Sequence, residues 1–257
     1  MLSNPFRTDA PTAHADERPS RIQRVRHELH RREVTVARIE TIGRHFLRIT
    51  FTGESLATFT SLGFDDHVKF MFTDAQGEVV RRDYTPRHID LARREVNIEF
   101  ALHGDGPADA WARQAQVGMA AVIGGPKGSM ILPTDVDWHV LIGDDSALPA
   151  IHRRLEELPA SARVQVIVEV KDADDRRDFS PCAAHIDVQW VNSPRALLEA
   201  VTRLELPPGE GFVWAAGEAA TMARTRELLV EQHRLPRDAM RVSAYWKRGA
   251  TDFHENL

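Results

Sequence analysis

Arg81-Arg82-Asp83-Tyr84-Thr85-Pro86-Arg87 brings a phenol, a hydroxyl and three guanidinium groups into seven residues. In an extended chain the side chains alternate, so Arg82 and Tyr84 share a face while Thr85 points across the pleat. Guanidinium groups suit phosphate oxygens and an aromatic side chain suits a planar ring, so the chemistry on offer is that of a flavin nucleotide site. The plain alternative is an edge strand with solvated arginines, ended by Pro86. Further clusters point to nucleotide chemistry: Asp144-Asp145-Ser146, Glu169 through Asp175, and Gly217-Glu218. No GxGxxG occurs, so the usual dinucleotide fingerprint is missing. The twelve histidines and the single cysteine, Cys182, form no ligand cluster. His27 and His30 are a lone i, i+3 pair in a basic segment, and no metal site is expected.

The elements that must position these groups change character along the chain. With 42% hydrophobic residues in 257, a substantial core is available. A net charge of −5 argues against a nucleic-acid partner, whose affinity would come from a basic surface. No apolar run reaches the length of a membrane span and no signal-peptide core opens the chain, so a cytoplasmic protein without stable membrane association is expected. Residues 1–20 are expected to be a disordered tail. From Glu33, short alternating runs at 34–39, 46–51, 67–72, 96–102 and 120–123 describe an antiparallel β-barrel, interrupted by a helix near 107–116. After Pro133, apolar runs at 140–142, 164–168 and 212–216 alternate with helical stretches at 147–158, 194–204 and 218–234. That rhythm is a parallel sheet covered on both faces, which presents ligands at the carboxyl ends of its strands. The division expected is 21–132 for a flavin-binding barrel and 133–257 for an NAD(P)H-binding α/β unit.

A barrel followed by an α/β half resembles the ferredoxin-reductase superfamily. Asp65-Asp66-His67-Val68-Lys69-Phe70, Arg82-Asp83-Tyr84-Thr85-Pro86, His103-Gly104 to Trp111-Ala112, Gly125-Pro126-Lys127-Gly128-Ser129, Leu148-Pro149-Ala150, Gly217-Glu218 and Ala244-Tyr245-Trp246 are, in that order, similar to the siderophore-interacting proteins, in particular their NADPH-dependent ferric-chelate reductases. The resemblance implies FAD held by Arg82, Asp83, Tyr84, Thr85, His103, Gly104, Gly106, Pro107, Ala108, Asp109, Trp111, Tyr245 and Trp246. It implies NADPH (or NADH) beside Asp144, Ser146, Gly217 and Glu218, with Arg224 and Arg226 as partners of a 2′-phosphate. An anionic ferric siderophore or other ferric chelate would meet Lys69, Lys127 and Arg241, with Lys247 and Arg248 as lesser candidates. Electrons would pass through the flavin, with no catalytic side chain and no protein ligand to iron. Asp109, a carboxylate near a diphosphate, is expected to cap its helix and face outward. Tyr245 and Trp246 either shield the flavin or close the core. A monomer is expected. A generic flavin reductase and a non-catalytic siderophore-binding module are the competing readings.

Overall fold

The computed structural model describes residues 21–102, 104, 106–182, 184–250 and 255–257. The segment 1–20 and His103 lie outside them. The first half runs β1 (Gln23–Arg26), β2 (Arg31–Ile42), β3 (Phe46–Thr52), β4 (Val68–Thr73), β5 (Val79–Tyr84), β6 (His88–Asp90), β7 (Glu95–Ala101), α1 (Pro107–Gln114), β8 (Ala120–Gly124) and β9 (Gly128–Ile131). Seven of these strands form one antiparallel sheet in the order β5-β4-β8-β2-β3-β7-β6, and β1 pairs with β9 separately. Alternation explains the curl. Val34 and Val36 on β2, Ile49 and Phe51 on β3, and Ile98 and Phe100 on β7 all turn to one side and are almost fully buried. The sheet bends around them until Tyr84 on the edge strand β5 reaches Phe100 on β7, with ring centroids 4.5 Å apart. Helix α1 closes the open side by inserting Trp111 against Phe70, 4.8 Å away, and Phe72, 5.6 Å away. Each fully buried aromatic of this kind contributes roughly 1.5–3 kcal/mol through burial, and favourable ring pairs add about 0.5–1.5.

The second half runs β10 (Trp138–Gly143), α2 (Leu148–Glu157), β11 (Arg163–Glu169), β12 (His185–Val191), α3 (Pro194–Thr202), β13 (Gly211–Glu218), α4 (Ala219–Glu227), β14 (Met240–Trp246) and β15 (Glu255–Asn256). Its sheet has the order β12-β11-β10-β13-β14-β15, parallel from β12 to β14, with β15 antiparallel at the end. Every residue of the central strand β10 is buried, because helices cover both faces. Ile151 and Leu155 of α2 pack on the side of Leu141, Val166 and Trp214. Leu197 and Val201 of α3 and Met222 of α4 pack on the side of Val140, Ile142 and Val213. The expected helix 218–234 is α4 followed by a π turn over Leu228–Gln232. No helix among the described residues is long and apolar enough to cross a membrane.

Helix α2 fastens the two halves together. Its Arg153 donates to the carbonyls of Pro86 and Ser61, both at 3.0 Å, while Glu156 receives both Nη atoms of Arg87 at 2.6 and 2.7 Å. Behind Arg87 lies Glu99, whose side chain is fully buried and pairs with Arg48 at 2.7 Å and Arg177 at 3.1 Å. The segment that follows β5 is therefore held by buried charge-assisted bonds from a helix of the other half.

Candidate functional site

A cleft of about 560 Å3 lies where the end of β5 meets the carboxyl ends of the parallel strands. Arg82, Asp83, Tyr84 and Thr85 line its barrel side. β5 is an edge strand, as the plain reading allowed, yet its arginine and tyrosine face the cleft. Tyr84 is braced by Phe100 and by an edge-on contact with Phe70, and burial pushes its phenol above the usual range, so it stays neutral. Thr85 is buried and hydrogen-bonded to Tyr245, which arrives from β14. The strand register sets Lys69 opposite Asp83, and their side chains meet at 2.9 Å.

Gly104, Gly106, Ala108 and Asp109 complete the barrel side. Helix α1 begins there with Gly106 as N-cap and Pro107 at its first position, and no side chain caps it. The expectation for Asp109 is corrected: its Oδ2 turns back to accept the Gly104 N–H at 3.2 Å, and Arg113 one turn on lies 3.4 Å from Oδ1. The carboxylate thus faces the cleft, with a cation beside it, because the third helical position points back over the preceding loop. Trp111 departs from the implied flavin contact as well. Four residues after Pro107 it lies on the helix's inner face with Ala108 and Ala112, and it fills the barrel core.

The strand ends supply the other side. Asp144, Asp145 and Ser146 follow β10, Glu169 ends β11 with Lys171 two residues beyond, Glu218 ends β13, and Tyr245, Trp246 and Arg248 come from β14 and beyond. Asp144 accepts bonds from the N–H groups of Ser146 at 3.0 Å and Glu218 at 2.8 Å and from the indole of Trp246 at 2.9 Å. Burial and the neighbouring Asp145 still push its carboxyl up to about 6. Burial, Asp144 and Asp145 raise Glu169 to about 7. Gly217 does not line the cleft; it makes room for Asp144. Its φ of 157° and an added Cβ only 2.6 Å from Asp144 Oδ2 leave no space for a side chain. Glu218 caps α4, accepting from the N–H groups of Ala220 at 2.8 Å and Thr221 at 3.1 Å.

The structure does not bring every expected residue to this cleft. Arg224 pairs with Glu227 at 2.6 Å on the outer face of α4, and neither it nor Arg226 lines the cleft. Pro107, Lys69, Lys127 and Arg241 are also off the lining. Lys127 is exposed on the turn after the cis Gly125–Pro126 peptide. Arg241 is bound to Asp65 at 2.8 Å and sits four residues before Tyr245, about 13 Å along the strand at its usual rise. Arg248, named as a lesser candidate for the chelate, does line the cleft, and Phe46, His67, Glu99, Pro149 and Lys171 line it without having been singled out individually from the sequence. Only their positions just past strand ends or within quoted motifs could have flagged them.

The barrel side suits FAD. Tyr84 and Tyr245 offer aromatic surface, Arg82 a phosphate partner, and the start of α1 its unshared N–H groups. Asp83 Oδ1 is a buried acceptor without a hydrogen-bond partner and Asp109 Oδ1 has only its ion pair with Arg113, and the hydroxyl and amine groups of a flavin nucleotide are the donors such atoms need.

Residues 35–81 and 74–130 match the siderophore-interacting FAD-binding domain, and residues 136–249 match the siderophore-interacting protein family. The chain is 35% identical to the NADPH-dependent ferric-chelate reductase of Escherichia coli over 87% of its own length and 96% of that protein. It is 31% identical to the ferric vibriobactin reductase of Vibrio cholerae, covering 83% of this chain and 89% of the relative. The crystal structure of a siderophore utilization protein from T. fusca superposes with a TM-score of 0.84 at 32% identity, covering 92% of this chain and 98% of that one. With family models matching both halves, relatives 31–35% identical over most of their length and a solved structure superposing over nearly the whole chain, the chain belongs to the siderophore-interacting protein family.

Proposed function

We propose that this protein reduces Fe(III) held in a siderophore or another chelate, drawing electrons from NADPH through bound FAD, and that it does so in the cytoplasm as a monomer. The observation that carries this reading is the contact of Thr85 with Tyr245, which joins the barrel's flavin side and the parallel sheet's donor side in one cleft. Bound FAD accepts the two electrons of a hydride together and releases them singly, as an Fe(III) acceptor requires. The chain's part is positional. Residues 21–132 hold the flavin with Arg82, Tyr84 and the loop before α1, and residues 133–257 bring the donor over the strand ends. Iron needs no protein ligand, because siderophore oxygens hold Fe(III) far better than Fe(II) and reduction itself loosens the chelate.

The anionic chelate meets cations at the barrel edge. Lys69 and Lys127 remain the candidates there, Lys69 through its hold on Asp83 and Lys127 through its exposed charge. Arg241, committed to Asp65, is the weakest member of that set. The deciding measurement is the visible spectrum of purified protein under anaerobic conditions. A flavin band that survives gel filtration, bleaches with NADPH and returns on adding a ferric chelate is expected. A band that bleaches but leaves the protein on the column points instead to a generic flavin reductase.

A further inference from the structure

The strand-end half of the cleft is acidic, and a phosphate-bearing donor has to overcome that. Asp144, Asp145, Glu169 and Glu218 line it, whereas Arg224 and Arg226 do not. The cations that do line this half are Lys171, two residues past the end of β11, and Arg248, two residues past the end of β14. Both are exposed. Among the described residues neither side chain has an ion-pair or hydrogen-bond partner, and Arg248 uses only its backbone N–H, which donates to Glu218 at 3.4 Å. A lone surface cation is ordinary. Here two cations from separate elements line one cleft and act on one carboxylate, Glu169.

We propose that Lys171 and Arg248 together grip a phosphate group of the dinucleotide donor, and that Glu169, on which both cations act, sets the protonation state in which they do so. The inference rests on the reductase reading above. Ionised, Glu169 competes for the two cations and repels the phosphate; protonated, it leaves both free. The charged groups facing it are Asp144 and Asp145 from the end of β10, Lys171 from its own chain segment and Arg248 from the segment after β14. Burial and the two aspartates outweigh the cations and hold its carboxyl at about 7, so donor affinity falls as pH rises through that value. A phosphate monoester, with a second pKa near about 6, gains charge over the same interval and favours the opposite trend. The two contributions are therefore separable by removing Glu169's charge.

Calorimetric titration of the flavin-loaded protein with NADP+, NAD+ and 2′,5′-ADP at pH 6 and pH 8 tests this. The Lys171→Ala/Arg248→Ala variant is expected to lose about tenfold in NADP+ affinity at the lower pH, the scale of charge-assisted bonds made in a partly solvated site. A loss confined to NADP+ and 2′,5′-ADP assigns the 2′-phosphate, and an equal loss with NAD+ assigns the diphosphate; either supports the grip. Unchanged affinity for all three ligands overturns it. Glu169→Gln is expected to bind NADP+ at pH 8 at least as tightly as at pH 6. Retention of the wild-type fall by this variant removes Glu169 from the proposal. Failure of wild type to bind either dinucleotide would overturn the reductase reading itself, a result distinct from equal binding by wild type and variant.

Discussion

At the scale of single side chains, two substitutions are expected to separate flavin binding from chelate reduction. Arg82 is the one barrel-side Arg or Lys lining the cleft among the described residues, and its Nη1 donates to the carbonyl of Arg81 at 2.7 Å. Arg82→Ala is expected to give protein that folds normally but carries well under half the wild-type FAD, read from the ratio of flavin to protein absorbance. Undiminished flavin content would show that Arg82 does not hold the cofactor. Lys69 donates to Asp83 Oδ2 from the neighbouring strand β4. In stopped-flow traces Lys69→Ala is expected to slow flavin re-oxidation by an anionic ferric chelate and to flatten its salt dependence, while bleaching by NADPH stays near the wild-type rate. Equal slowing of both half-reactions would instead mean that Lys69 matters through Asp83 and the flavin.

At the level of elements, α1 serves the site with one face and the barrel with the other. Its start and Asp109 border the cleft, while Trp111 stacks at 6.2 Å on Phe51 and reaches Phe70, Phe72 and Phe100. Trp111→Ala therefore removes core and not cofactor contact. A loss of about 3–5 kcal/mol in chemical unfolding is expected, with the folded fraction retaining FAD. Loss of flavin without loss of stability would return Trp111 to the cofactor site. Helix α2 has the same double character, since Arg153 and Glu156 seat Pro86 and Arg87 immediately after the flavin-side strand.

Across the whole molecule the halves are joined by buried charge, and this makes stability sensitive to single neutralisations and to pH. Glu99 is fully buried among Arg48, Arg87 and Arg177. Glu99→Ala is expected to cost about 3–5 kcal/mol in urea unfolding, because it leaves buried guanidinium groups facing one another. A change below about 1 kcal/mol would mean that water replaces the carboxylate there. His139, buried and beside Arg154, is held down to about 4. It is neutral in the fold and gains a proton on unfolding below its ordinary value, so its contribution is full above about pH 6.5 and lost as pH falls toward 4. Glu169, raised to about 7, works with the opposite sign, since its ionisation opposes folding as pH rises. His139→Gln, whatever its uniform cost in packing, is expected to flatten the fall of Tm between pH 6.5 and 4.5. An unchanged slope in the variant would assign the acid sensitivity elsewhere.

The residue pattern alone carries the order of barrel and parallel sheet, because alternation with a period of two and continuous apolar runs are local consequences of burying one face or both. It also marked Arg82 to Thr85 and Asp144 to Ser146, which the fold brings to one cleft. It missed β12 as an element, since this edge strand alternates exposed and half-buried residues instead of forming an apolar run. Which cations reach the cleft depends on long-range packing. Arg224, Arg241 and Lys171 are alike as residues, but helix face, distance along a strand and the position of a strand end turn the first to solvent, bind the second to Asp65 and leave the third at the donor side. The same holds for Asp109 and Trp111, two residues apart on α1, where the rotation of one helix sends a carboxylate to the cleft and an indole to the core. Long flexible cations and amphipathic helices take their partners from non-local packing, which the local pattern of residues does not encode.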